Sequence, residues 1–197
     1  MGEERVCIFI DGSNFYHSTW KVGKKIKFKK LIRELVGERE LVKVFYYVAN
    51  LDINVDERKY WQHQKFLNIL RAIPKFNVVL CTLRKVKKKD GTYDFILKGD
   101  DIHLASDLVE GACKDKYDIA ILVSGDEDFV PSIEIAQREN KKVENVYFSA
   151  SSSNTLRVLC NKSICLDKIF NNFDDIKLLN CSHMIHKKCF NELCKNG

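Results

Sequence analysis

Long apolar runs are missing from this chain. No stretch approaches the ~20 residues needed to cross a bilayer, so a protein with no membrane span is expected. Nothing resembles a signal peptide: residues 1–5, MGEER, are charged and the apolar run behind them is too short, so secretion is not expected. Both absences point to an intracellular, most simply cytoplasmic, protein. There is no internal repeat and no low-complexity segment. Proline occurs only twice, and both Pro74 and Pro131 read as helix boundaries. The eight cysteines form no single framework. Cys7, Cys81, Cys113 and Cys160 fall within expected strands or helices, where a free thiol behaves as a small apolar side chain, and thiols are expected in a reducing compartment.

What is present is a regular alternation of elements over 197 residues, enough for one ordinary domain with a sizeable core. Residues 28–36 read as a helix with Leu31, Ile32, Leu35 and Val36 inward and Gly37 closing it. Residues 42–48 read as a strand, 56–73 as a longer helix with Tyr60, Phe66, Leu67, Ile69 and Leu70 as its apolar members, and 77–86 as a further strand. Asp90-Gly91 signals a hairpin, which folds residues 93–97 back as an antiparallel extension. Residues 130–139 read as a helix, 142–148 as a strand, and 155–160 as a short helix capped by Asn154. Strands separated by helices indicate βαβ units. The domain is expected over residues 1–170, with residues 171–197 as a tail.

Two of the apolar runs end on acids. Val6-Cys7-Ile8-Phe9-Ile10 has the pattern of a strand covered on both faces, and it delivers Asp11, then Gly12-Ser13-Asn14. Residues 119–123, IAILV, read the same way and stop at Ser124-Gly125, a turn signal followed by Asp126 and Asp128. Lys98-Gly99-Asp100-Asp101 stands ahead of a helical pattern reaching Cys113, with Ile102, Ala105, Leu108, Val109 and Ala112 on one side. In an open α/β sheet, ligands bind beyond the carboxyl ends of the strands. Any one of these acids could simply cap the helix that follows; three such sites converging are harder to assign to capping. Clustered carboxylates repel unless a cation sits among them, and the fitting occupant is Mg²⁺ or Mn²⁺, which take oxygen ligands.

The segments FIDGSNFY at residues 9–16, KGDD at 98–101 ahead of a helix carrying Asp107, and ILVSGDEDFVP at 121–131 together resemble the NYN domain, and within it the LabA-like group of the PIN-like nuclease superfamily. The likeness runs from Arg5 to about Asp167. It implies a three-layer α/β/α sandwich with a mainly parallel central sheet and a metal-dependent ribonuclease site. Asp11 corresponds to the first-strand acid and Asn14 to the nearby Asn. Asp101 corresponds to the acid of the KGxD element, and Asp126 and Asp128 to the later pair. Asp107 matches a frequent helix acid, and Asp100 falls on a variable position. The resemblance implies a metal held by Asp11, Asp101 and Asp126, with Asp128 a direct or water-mediated ligand. Asn14, which cannot ionise, would orient a water or a phosphate oxygen. His17 and His103 have no metal-site spacing.

The net charge of +6 suits a polyanionic partner. Lys21, Lys24, Lys25, Lys27, Lys29 and Lys30 crowd one segment, and Arg84, Lys85, Lys87, Lys88 and Lys89 another. Such runs are either solvated surface or, on the nuclease reading, a grip on phosphates that weakens with salt. Lys24, Lys25, Arg84, Lys87 and Lys98 are the candidate RNA contacts, with Ser124 as a hydrogen-bond donor at the acid edge. Phe15, Tyr16 and Trp20 either stack on unpaired bases or pack in the core.

In the tail, Cys181, His183, His186 and Cys189 have the spacing of the middle four ligands of a RING-H2 finger, a partial resemblance that suits tetrahedral Zn²⁺. A truncated RING, a separate zinc site and a metal-free helical tail all stay open, and metal analysis showing no zinc in the purified chain would settle the matter for the tail. The leading expectation is an endoribonuclease that hydrolyses RNA with Mg²⁺ or Mn²⁺. Its rival is a non-catalytic RNA-binding or adaptor protein with a RING-like tail for a protein partner. A homodimer is compatible with either.

Overall fold

The structure is a computed structural model that describes residues 2–22, 26–87 and 93–170, without the side chains of residues 20, 22, 84–87, 93–98 and 170. The expectations for Lys24, Lys25, Cys181, His183, His186 and Cys189, and for the side chains of Arg84, Lys87 and Lys98, lie outside the described residues.

Among the described residues, strands β1 Arg5–Asp11, β2 Glu40–Ala49, β3 Phe76–Lys87, β4 Tyr93–Lys98, β5 Ile119–Val123, β6 Lys142–Tyr147 and β7 Lys162–Cys165 form one sheet in the order β4-β3-β2-β1-β5-β6-β7. The six strands from β3 to β7 in that order are parallel, and β4 folds back antiparallel on β3 at the edge. β1 is apolar from Val6 to Ile10 because both of its faces are covered there. Val6, Ile8 and Ile10 join the core under α1 Gly12–Val22, α2 Phe28–Val36, α3 Glu57–Arg71 and α7 Leu166–Phe170. Cys7 and Phe9 join the one under α4 Asp100–Cys113, α5 Val130–Arg138 and α6 Asn154–Leu159. The architecture is therefore an α/β three-layer sandwich. No described helix is long and apolar enough to cross a membrane.

Strand order decides where a ligand can enter. From β1 the chain steps through β2 to β3 on one side, then returns to lay β5 against the other side of β1. Connections leave β1 and β5 toward opposite directions, which opens a crevice at their carboxyl ends. At the amino ends Arg5 clamps the same two strands. Its guanidinium donates to Asp118 at 2.8 and 3.1 Å, and that pairing pulls the Asp118 carboxyl down to about 2.

Several local expectations are corrected. The helix α4 buries Leu104, Leu108, Gly111 and Ala112, whereas Ile102 is 71% exposed, so the apolar stripe lies on a neighbouring face to the one expected. Ile69 of α3 is exposed, and His63 takes the inward place beside Leu67 and Leu70. The cap of α6 is Ser153, which accepts the Thr155 N–H at 3.1 Å, and Asn154 is already helical. At the end of the domain β7 stops at Cys165 and α7 follows directly from Leu166. Cys7, Cys81 and Cys160 are buried as expected, but Cys113 is exposed.

Glu144 sits in the middle of β6 with 7% exposure. Arg39 reaches it with two nitrogens, at 2.8 and 3.3 Å, and also donates to the Leu35 and Val36 carbonyls at the end of α2. Removing the cation alone strands a buried carboxylate. We expect Arg39→Met to lower stability by ~3–5 kcal/mol in urea unfolding, and Arg39→Met with Glu144→Val to recover most of it, since replacing a whole buried pair by apolar groups is close to neutral.

Candidate active site

Asp11 closes β1, and the chain enters α1 without an intervening loop. Gly12 makes that possible: a Cβ there would lie 2.3 Å from the Tyr47 carbonyl oxygen of β2. Asp11 caps the new helix, its Oδ1 accepting the Asn14 N–H at 3.0 Å. Its other oxygen, Oδ2, accepts the Ser124 hydroxyl from the end of β5 at 3.0 Å. Capping and cross-strand contact are thus combined in one carboxylate, 5% exposed. Each oxygen retains a lone pair.

The segment after β5 is folded around the same hydroxyl. Ser124 Oγ accepts the Asp126 N–H at 3.1 Å, and Asp126 Oδ1 in turn accepts the Asp128 N–H at 3.1 Å, capping a 3-10 turn over Glu127–Phe129. The Gly125 N–H donates to Asn14 Oδ1 at 3.2 Å. Asn14 therefore holds the two acid-bearing turns together, one through its backbone and the other through its side chain.

The third acidic segment arrives on α4. Gly99 adopts φ +84°, and its carbonyl accepts the His103 N–H at 2.7 Å, so Asp100 and Asp101 open the helix. The Ser13 hydroxyl of α1 lies beside the Asp100 carboxylate and favours its ionised form, which sets this helix start next to the turn after Asp11.

These acids share one field. Burial pushes the Asp11 carboxyl up to about 7 against the pull of the Asn14 N–H and the Ser124 hydroxyl, with Asp101 and Asp100 adding repulsion. The Asp101 carboxyl rises to about 6, first through burial and then through Asp100, Asp126 and Asp128. Asp100 is raised too, chiefly by burial, with repulsion from Asp126. Among the described residues no salt bridge reaches any of the five. A buried carboxylate crowded by others and lacking a cation is the donor set that a hard divalent ion relieves. Among the described residues no group of three or more His, Cys, Asp or Glu side chains is already placed to hold a metal ion.

The structure thus brings Asp11, Asn14, Asp101, Ser124, Asp126 and Asp128 to one edge, together with Asp100. Asp107 has another engagement: it accepts the Tyr47 hydroxyl at 2.8 Å, with Tyr47 itself 1% exposed. Phe15 packs against Phe28 and Phe148 at 5.4 and 5.8 Å and is core, so base stacking does not apply to it. Glu127, the remaining acid of SGDED, accepts the Ser153 and Thr155 hydroxyls at 2.8 and 3.3 Å. Sequence reasoning did not single out Ser13, Tyr47 or Asn145. The last stands beside Glu144 in a strand of mixed polarity, KVENVY, where nothing in the sequence sets it apart.

The NYN domain family model matches residues 5–167. Among solved structures, the chain is similar to a crystallised protein of unknown function from Vibrio parahaemolyticus, with 27% identity and a TM-score of 0.66 over 89% of this chain and 97% of the other. No curated protein matches the sequence.

Proposed function

The chain belongs to the NYN domain family, whose members are typically nucleases, and from that premise we propose that it is a divalent-metal-dependent endoribonuclease. The observation that carries this is the Ser124 to Asp11 hydrogen bond across the β1–β5 crevice, with Asp100, Asp101, Asp126 and Asp128 in the same electrostatic field. Asp11, Asp101 and Asp126 are the residues assigned to hold Mg²⁺ or Mn²⁺, with Asp128 beside them. When bound, such an ion lowers the pKa of a coordinated water and offsets charge on a phosphate.

The protein's own groups supply the rest. Ser124 and the Asn14 N–H keep the two Asp11 oxygens oriented. The Asn14 side chain fixes the SGDED turn, so it acts through Gly125 as well as toward a water or a phosphate oxygen. Lys98, Lys24, Lys25, Arg84 and Lys87 are assigned to the phosphate backbone of RNA, an interaction that weakens with salt.

The test is a circular single-stranded RNA, which only an endonuclease can open. Cleavage is expected with added Mn²⁺ or Mg²⁺, and equal cleavage in EDTA would overturn the mechanism. The second reading, a non-catalytic RNA-binding module, draws on the absence of a ready-made cage among the described residues. It requires salt-sensitive binding of the same RNA with no cut in either ion.

A further inference from the structure

Asn145 is fully buried in the middle of β6, in register with Leu122 of β5. Strand alternation places it on the face of Val143, over the core shared by Leu122, Phe129, Ile133 and Leu156. An apolar side chain would suit that place. The amide Nδ2 instead donates to the Ser124 carbonyl at 2.8 Å and, at longer range, to the Leu122 carbonyl at 3.4 Å. Its Oδ1 is buried with no hydrogen-bond partner among the described residues. An orphan acceptor of this kind costs stability.

The neighbouring polar residue of β6 has a structural explanation, because Glu144 is matched by Arg39. Asn145 has no such counterpart, and among the described residues its side-chain hydrogen bonds run to the end of β5 alone. Ser124, whose carbonyl it holds, uses its hydroxyl to donate to Asp11 Oδ2 and to accept the Asp126 N–H. Three hydrogen bonds therefore connect one buried amide to the Asp11 carboxylate and to the backbone N–H of Asp126, on different segments. Without the Nδ2 donor, the Ser124 carbonyl lies past the last β5–β6 register pair, Val123 with Val146, and nothing on β6 fixes it.

We propose that Asn145 is a positioning residue of the acid edge, setting the separation of Asp11 and Asp126 and with it the affinity for a divalent cation. It touches neither cation nor RNA and acts only through Ser124. The inference rests on the reading of that edge as a cation site.

The experiment measures Mn²⁺ binding by calorimetry and by electron paramagnetic resonance on the full chain, beside thermal melts in EDTA. Asn145→Leu is expected to melt in EDTA close to the wild-type temperature, because losing the orphan Oδ1 offsets the donor that the buried Ser124 carbonyl loses, while its Mn²⁺ Kd rises about tenfold. Ile133→Val, on the same side of the sheet, provides the contrast: it lowers the melting temperature and leaves the Mn²⁺ Kd unchanged. Should Asn145→Leu fail to fold, Asn145→Val is read in the same way. A folded Asn145 variant with the wild-type Mn²⁺ Kd overturns this inference alone. Wild-type protein that binds no Mn²⁺ overturns it together with the nuclease reading.

Discussion

Asp11→Asn is expected to abolish RNA cleavage in Mn²⁺ and, in the same molecule, to raise the melting temperature of the metal-free protein at pH 8. The replacement is close to isosteric. Asn is as good a cap as Asp, so the Asn14 N–H keeps its acceptor, and the new amide can donate to Ser124, whose hydroxyl accepts as readily as it donates. What is lost is the negative charge that a cation needs. Cleavage is expected to fall on the order of 10³-fold, or ~4 kcal/mol of transition-state stabilisation.

The stability gain follows from the same charge. Asp11 has its folded pKa pushed up to about 7 from an ordinary 3.8. A carboxyl raised in this way contributes fully below its ordinary value, and the fold loses that contribution as pH rises through 7. Each tenfold change in proton affinity is ~1.4 kcal/mol, so the ionised carboxylate costs on the order of a few kcal/mol in the metal-free protein. Asn carries no such cost. Melts in EDTA are therefore expected to separate variant from wild type by more at pH 8 than at pH 5, and Mn²⁺ is expected to close the gap for the wild type only. Identical pH dependence in the two proteins would show that Asp11 ionises without penalty, and retained cleavage would remove it from the site.

How far the sequence discloses this arrangement depends on the kind of interaction. β1 and β5 are legible because a strand buried on both faces has no polar residue until it leaves the sheet, so the acids at Asp11 and Asp126 mark the edge directly. Their capping role is legible for the same reason, since Asp is a preferred cap wherever a helix starts. The inward face of α4 is not. Ile102 and Leu104 are equally apolar, and only the direction in which α4 crosses β1 and β2 selects Leu104. Phe15 shows the same limit in another form: an aromatic beside an acidic turn suits a base or a core, and the partners that decide it, Phe28 and Phe148, come from distant segments. Ser13, Tyr47 and Asn145 are hidden more deeply, because each acts on a residue at least 21 positions away. The Ser149–Ser151 turn looks like a plain linker, yet it forms the wall against which the SGDED turn is built.

That wall makes Gly125→Ala the most damaging single change outside the acids. A Cβ on Gly125 would lie 1.5 Å from the Ser151 carbonyl oxygen, 2.6 Å from its carbon and 3.1 Å from the Ser152 Cα. All three are backbone atoms, so no side chain can rotate away. One segment has to move. The 149–153 segment is held by the Ser153 N–H donating to the Gly125 carbonyl at 3.0 Å and by the Ser18 and Ser151 hydroxyls at 2.6 Å. The SGDED turn is held by Asn14, by Ser124 and by Glu127 bonded to Ser153 and Thr155. Either displacement breaks several of these bonds together. The loss is expected to be ~3 kcal/mol or more, read as a fall of roughly 6–12 °C in the melting temperature for a domain of this size. Because the displaced turn carries Asp126 and Asp128, Mn²⁺ binding is expected to weaken by at least about tenfold at temperatures where the variant is still folded, ~1.4 kcal/mol of binding free energy. Gly37→Ala is the matched control. Gly37 has φ +60° but open space around it, so a moderate loss of stability with unchanged Mn²⁺ binding is expected there. Wild-type Mn²⁺ affinity in a folded Gly125→Ala protein would mean that the turn can move without carrying the acids along, and that close packing against Ser151 has no part in holding the site.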